Sequence, residues 1–211
     1  MRAGRASADA LEIAAVGRDE VRAAAGVLVA AFLDDPIAVA IGPRRRSHRR
    51  LISPLSFTGI VAAGRRHGGR VVAARRGGAV VGVSIAFEPG AWPLTDGAVV
   101  YELAWALAAG PLPVRRGIAF DRMVRAGHVD HEHAYLWFLG VHPDEQGCGA
   151  GRALLADFHA RADAHGVPAY LETGTFANVA WYAGAGYEVL GELALPSGEP
   201  VWRMERPHPS R

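Results

Sequence analysis

Eight apolar residues, Ala134–Val141, run almost directly into a stretch in which three of five residues are glycine, Gly147-Cys148-Gly149-Ala150-Gly151. An apolar run of that length bounded by turn residues reads as a buried strand. The residues that follow carry Leu154, Leu155, Phe158 and Ala162 on one helical face, so a helix is predicted over Gly151–His165. Gly166 can end it in left-handed geometry. Strand, glycine loop and helix in that order place the chain among α/β folds. The loop also has a chemistry of its own. Glycines let a ligand approach the backbone, and the unpaired N–H groups of a helix's first turn favour an anion. A pyrophosphate suits such a site, and Arg152 can add charge-assisted bonds.

The rest of the chain reads as alternating elements. A strand is predicted over Leu11–Val16, then a helix from Arg18 to Phe32 with Val21, Ala24, Leu28 and Phe32 at helical spacing. Asp34-Asp35-Pro36 stops it, because proline disfavours helical geometry in the residue before it. Gly42–Arg50 holds Arg44, Arg45, Arg46, Arg49 and Arg50, read as a solvated loop leading to a helix over Leu51–Ala63 rather than as an anion patch. Strands Gly69–Arg75 and Ala79–Phe87 flank the turn Arg76-Gly77-Gly78, a hairpin signal. Helices are expected over 98–109 and 114–126, separated by Gly110-Pro111-Leu112-Pro113. Pro168–Thr173 reads as a strand, Ala177–Ala185 as a short helix stopped by Gly186, and Tyr187–Ala194 with Pro200–Glu205 as a final strand pair. Residues 1–9 read as a flexible tail and 10–207 as one domain.

Composition narrows the function classes. A net charge of +2 does not suggest a general nucleic-acid binder. All 23 basic residues are arginine, so no lysine can serve as a catalytic group. Cys148 is the single cysteine, which rules out an intrachain disulfide and fits a cytoplasmic protein. The apolar run Ala23–Phe32 is flanked by acidic residues, unlike a cleaved signal, and no run reaches the ~20 apolar residues of a membrane span. Two nucleotide-binding alternatives fit poorly. In a dinucleotide fold the first glycine closely follows the strand, whereas five residues, His142 to Gln146, intervene here. Glu172 does stand 21 residues after Gly151, where a ribose-binding acid could sit, but the loop is too long. A phosphate loop would need Gly-Lys-Ser/Thr, which is absent.

Gln146-x-x-Gly149-x-Gly151 matches the Q/R-x-x-G-x-G/A motif of the GNAT N-acetyltransferases. Leu171-Glu172-Thr173, Asn178, Trp181-Tyr182 and Gly186-Tyr187 resemble the family stretch L-E-T, N-x-x-F-Y and G-F/Y, in the manner of the branch that includes puromycin N-acetyltransferase. The resemblance covers residues 133–206; the N-terminal half agrees in layout only. It implies an α/β domain with a central mixed, mostly antiparallel sheet, splayed in a V between its fourth and fifth strands and flanked by helices. It implies acetyl-CoA as co-substrate. Amides of Gly147, Gly149, Gly151 and Arg152, with Gln146, Cys148 and Ala150 beside them, would hold the pyrophosphate. Backbone groups of Leu139, Gly140 and Val141 would pair with the pantetheine arm, and Asn178 would position the loop or the coenzyme.

The resemblance makes Tyr182 the expected general acid. Attack of an amine on a thioester expels a thiolate, and a phenol can protonate it or donate to the oxyanion. Glu172 is the expected general base, since a partly buried carboxylate can rise towards neutrality. His133, Glu102 and Glu88 are weaker candidates. His128, Asp130, His131, Glu132 and His133 invite a metal reading, but alternate residues of a strand point apart and the resembling family needs no metal. Cys148 at a helix start could be reactive, or simply a small residue filling a loop. The expected acceptor is the primary amine of a small molecule, attacking directly in a ternary complex, with a peptide or protein N-terminus and a non-catalytic CoA-binding module as alternatives. Neither nucleic acid nor membrane is expected as a partner, and the chain is expected to be a monomer or homodimer.

Overall fold

The computed structural model describes residues 10–66, 68–92, 105–195 and 197–209. The expected tail 1–9 and the expected helical residues 98–104 lie outside the described residues.

Seven strands form one sheet: β1 (Glu12–Ala15), β2 (Gly69–Arg76), β3 (Ala79–Phe87), β4 (Ala134–Val141), β5 (Ala169–Thr173), β6 (Glu188–Ala194) and β7 (Pro200–Arg206). Their order is β1-β2-β3-β4-β5-β7-β6. Every neighbouring pair is antiparallel except β4 and β5, which run parallel. That parallel contact is short, covering only Ala134↔Ala169, Tyr135↔Tyr170 and Leu136↔Leu171. Beyond Leu136 the two strands part, which is the V expected from the resemblance.

Six helices flank the sheet: α1 (Val21–Phe32), α2 (Pro36–Ile41), α3 (Arg46–Arg66), α4 (Pro111–Gly127), α5 (Ala150–His165) and α6 (Phe176–Ala183). Residues 105–109 are also helical, as expected, and Gly110 at φ 86 alone divides them from α4. One face of the sheet carries α1 and α3, through Leu28, Val61, Val83 and Ile85. The other carries α5, whose Leu155, Phe158 and Ala162 pack on Leu136, Leu171 and Met204. These are the positions that helical and strand periodicity turn inward.

Three local features depart from the sequence reading. First, β4 contains a bulge. Ile85 pairs with Phe138 but Ala86 pairs with Leu136, so Trp137 is the extra residue. A one-residue insertion reverses the in–out alternation of everything after it. Leu136, Leu139 and Val141 therefore meet the α5 side, while Phe138 packs among α1 and α3. Second, Asp34-Asp35-Pro36 stops one helix and starts another. The Asp35 carboxylate accepts from the amides of Ile37 and Ala38 at 2.9 and 3.3 Å, and Pro36 fills the first helical position. Third, the arginine run is only partly a solvated loop, since Arg46–Arg50 form the first turn of α3. Arg49 is buried. It donates to the carbonyls of Leu33, Pro43 and Arg44, which would otherwise lack partners.

Candidate active site

The coenzyme end of the site begins where β4 ends. A single 3-10 turn, Pro143–Glu145, leads to Gln146, and the chain then takes positive φ at Gly147 (79°) and at Gly149 (90°). Gly149 is the helix N-cap and offers no side-chain acceptor to the first turn of α5. The first backbone bond into the helix is Ala153 N–H to Gly149 O at 3.0 Å. The earlier amides, Gly151 and Arg152 among them, are thus left without a capping partner, and the helix dipole places partial positive charge there. Gln146, Gly147, Gly149 and Arg152 are exposed, whereas Ala150 is buried. Cys148 is half-buried and packs against the cluster formed by Val72, Ala74, Val81, Ala150 and Leu154.

Next to this loop lies the opening between β4 and β5. From Trp137 to Val141 the β5-facing edge of β4 has no strand partner in the described sheet. Gly140 lets α1 approach this edge closely. A Cβ there would lie 3.0 Å from both Ala31 Cβ and Phe32 Cε2.

On the far side, α6 hangs from the end of β5. The Thr175 side chain caps it by accepting from Asn178 N–H at 3.3 Å, and Asn178 Nδ2 donates to Thr173 Oγ1 at 3.1 Å. Asn178 therefore ties helix to strand. One turn further, the Tyr182 ring packs edge-on against Trp181 and Tyr187, at 4.9 and 5.4 Å between centroids. Its hydroxyl has no hydrogen-bond partner among the described residues. Burial holds the phenol above its ordinary pKa of 10.0, so Tyr182 stays protonated and available as a donor.

Tyr182, Asn178 and Glu172 line one cavity of about 350 Å³, together with Phe32, Phe57, Trp105, Phe120, Tyr135, Trp137 and Phe138. Helix α2 closes part of it. A Cβ on Gly174 would lie 2.7 Å from Ile37 Cγ1, so only glycine admits α2 this close to the end of β5. The structure thus brings both sequence-predicted catalytic residues to one space.

Glu172 is held by residues that sequence reasoning missed. Its carboxylate accepts from Tyr135 Oη–H at 2.7 Å and contacts His128 Nδ1 at 3.2 Å, and its side chain is 6% exposed. Tyr135 is in register with Tyr170, and Glu172 follows Tyr170 by two residues, so strand alternation puts all three on one face. That spacing was legible; His128, on the loop before β4, carried no such signal. His128 Nε2 lies 3.0 Å from His133 Nε2, and His133 Nδ1 lies 2.7 Å from His131 O. The cluster that invited a metal reading is thus occupied with itself and with Glu172. Of the weaker base candidates, Glu88 pairs with His165 and Arg161 at the surface, and Glu102 lies outside the described residues.

A sheet split between parallel neighbours, with free amides at one end of the split and a buried phenol and carboxylate at the other, defines an acyl-transferring α/β enzyme. Comparison narrows the class: residues 42–187 match the model of the acetyltransferase (GNAT) family. The chain belongs to that family and is an acetyltransferase whose acyl donor is acetyl-CoA. Solved structures share the fold at low identity. A protein described as histone acetyltransferase HPA2 and related acetyltransferase, from Corynebacterium glutamicum, is 21% identical with a TM-score of 0.68, over 95% of this chain and 98% of its own. The PaiA N-acetyltransferase of Thermoplasma acidophilum, solved with coenzyme A, is 10% identical with a TM-score of 0.58, over 94% and 99%. The ribosomal-protein-S18-alanine N-acetyltransferase of Escherichia coli is 15% identical with a TM-score of 0.56, over 96% of each chain. Among the described residues no helix is long and apolar enough to cross a membrane.

Proposed function

We propose that this enzyme transfers acetyl from acetyl-CoA to the primary amine of a small, largely apolar molecule, by direct attack in a ternary complex. The observation that carries the reading is the cavity between β4, β5 and the helices. It is walled mainly by apolar side chains, nine of the lining residues being aromatic, and Glu172 lines it together with Asp35 and Asp121. A peptide terminus would need an open trough between residues 32–60 and the helices after residue 92. That space is bridged: Arg116 Nη1 donates to Gly42 O at 3.1 Å, and His48 Nε2 lies 2.9 Å from Ala108 O. Both ties favour the small acceptor.

In this mechanism the pyrophosphate rests on the amides at Gly147–Arg152, with Gln146 at the loop's entry. The pantetheine arm lies along Leu139, Gly140 and Val141 as an added strand. Glu172 takes the proton from the acceptor ammonium, and the freed lone pair attacks the thioester carbon. As the tetrahedral intermediate collapses, the C–S bond breaks and Tyr182 Oη–H gives its proton to the departing sulfur, while the proton that the new amide nitrogen loses restores the phenol. No acyl-enzyme forms.

The test measures CoA release with a panel of amines, and mass spectrometry of the products. Turnover of aromatic or apolar primary amines, with peptides left unmodified, is the expected result. Efficient acetylation of peptide N-termini, with none of any small amine, would replace this reading with the protein-directed one. CoA binding without turnover on either set would reduce the chain to a binding module.

A further inference from the structure

A second cavity, of about 630 Å³, lies on the other side of the wall behind Glu172 and is lined by His128, His133 and Tyr135. Glu172 faces the acceptor cavity, while the two histidines face this outer one. Between the cavities the side chains make an unbroken line: Glu172 Oε1 to His128 Nδ1 at 3.2 Å, His128 Nε2 to His133 Nε2 at 3.0 Å, and His133 Nδ1 to His131 O at 2.7 Å.

Hydrogen counting along this line is decisive. The His131 carbonyl can only accept, so His133 Nδ1 carries a hydrogen. Each of the other two contacts also needs one, which makes three. Two neutral imidazoles supply two, one each, and a carboxylate supplies none. All three contacts are satisfied together only when the line holds one proton more than a carboxylate and two neutral rings. That is its composition just after Glu172 has removed a proton from a substrate.

We propose that His128 and His133 form a relay that carries the acceptor's proton from Glu172 to water in the outer cavity. The inference rests on Glu172 acting as the base. The ammonium N–H bond breaks and an O–H bond forms on Glu172, while the amine keeps the electron pair. Glu172 returns to carboxylate by passing the proton to His128 Nδ1. His128 gives its Nε2 proton to His133 Nε2, and His133 releases its Nδ1 proton to water that replaces His131 O on this exposed side of the ring. Exchange of the remaining ring protons with that water restores the starting tautomers. His128 is shielded for this task, edge-on to Tyr135 and Tyr170 at 4.9 and 4.8 Å between centroids. Burial lowers the pKa of His133, which weakens its hold on a proton and favours release. The charged and titratable groups around the pair are Tyr135 on β4, Tyr170 and Glu172 on β5, Glu205 on β7 and His131 beside them, with Asp121 and Arg203 acting on those tyrosines and Arg125 lining the outer cavity. Glu88, Asp130 and Glu132 edge the outer cavity. His128 and His133 are positioning residues, since neither touches the acceptor.

The experiment compares wild type with His133→Asn, which keeps a donor for His131 O but cannot relay. Near neutral pH, kcat should fall by about tenfold or more, up to the ~10²–10⁴ that proton transfer can contribute, with both KM values retained. Added imidazole, entering the outer cavity, should restore it. At about pH 10, where an amine of lysine-like pKa is largely neutral, the defect should shrink towards nothing. A wild-type pH profile in His133→Asn, insensitive to imidazole, overturns the relay. Glu172→Gln separates the two claims. Full activity in that variant removes the base itself, whereas impaired Glu172→Gln beside normal His133→Asn removes only the relay. Should His133→Asn not fold, a proton inventory on the wild-type enzyme decides. Because Glu172 and Tyr182 account for two transfers, more than two protons in flight support the relay, and two or fewer overturn it.

Discussion

Replacing Tyr182 by phenylalanine removes one oxygen atom that no described residue hydrogen-bonds. The two readings of this side chain therefore make opposite forecasts. If Tyr182 served packing, its contribution would come from the ring, whose contacts with Trp181 and Tyr187 phenylalanine keeps. The hydroxyl is buried enough to hold the phenol above its ordinary pKa, through desolvation alone. Its oxygen is not one of the fully buried, unpartnered polar atoms and Tyr182 lines the cavity, so its removal should leave stability nearly unchanged. If instead the hydroxyl donates to the sulfur or oxyanion during collapse, the variant loses a preorganised donor. Donors of that kind are worth about 2.7–4 kcal/mol, or roughly 10²–10³ in kcat. The expected outcome is therefore an enzyme with a nearly unchanged Tm, an unaltered Kd for acetyl-CoA, and kcat reduced by about two to three orders of magnitude. Thermal melting, calorimetric titration with acetyl-CoA, and CoA release at saturating amine measure the three. A kcat within about twofold of wild type refutes the argument, because general acid or oxyanion assistance cannot be that small. A lowered Tm would mean that the hydroxyl has a structural partner.

Gly149→Ala should weaken acetyl-CoA binding and cost about 1–2 kcal/mol of stability, because φ is 90° while only Leu11 Cδ1, at 3.9 Å, stands near the new methyl; titration and melting read both. Gly140→Ala should destabilise by roughly 1–3 kcal/mol through overpacking against Ala31, Phe32 and Leu28, seen as a lowered denaturant midpoint. Arg75 beside Glu20 holds that carboxyl at about 2, below its ordinary 4.5, so the pair's stabilisation is complete above pH 4.5 and fades as pH falls to about 2. Glu20→Gln should therefore melt below wild type at neutral pH, with the gap closing across that window. His159 is held at about 4 by burial, below its ordinary 6.5. The unfolded chain then binds the extra proton first, so stability should decline as pH drops from 6.5 to about 4, and His159→Gln should flatten that decline.

The parts of this molecule that were legible in its sequence are those where one residue's nature decides its own geometry. Strand Ala134–Val141 has the same limits in both accounts, because nothing in it competes with burial. Gly166 takes the left-handed cap, at φ 72, for which only glycine escapes a steric penalty. The features that escaped are decided by partners distant in the chain. Trp137 bulges because β3 pairs with β4 out of step, and no glycine or proline marks the spot. Yet that bulge coincides with the point where β5 departs, and it turns Phe138 towards α1 and α3 while Leu139 meets α5. Arg49 looks like its neighbours in a charge run, but three carbonyls of the α1–α3 connection, Leu33 at its start and Pro43 and Arg44 at its end, draw it inward. Glu172 shows the same division within one residue. Its place on β5 followed from alternation, whereas its chemistry depends on Tyr135, 37 positions away, and on His128, 44 positions away. A glycine loop at a helix start is thus readable from the chain alone, since backbone amides and positive φ are local. The proposed proton path is assembled across the sheet, and it becomes readable only once the strands are in register.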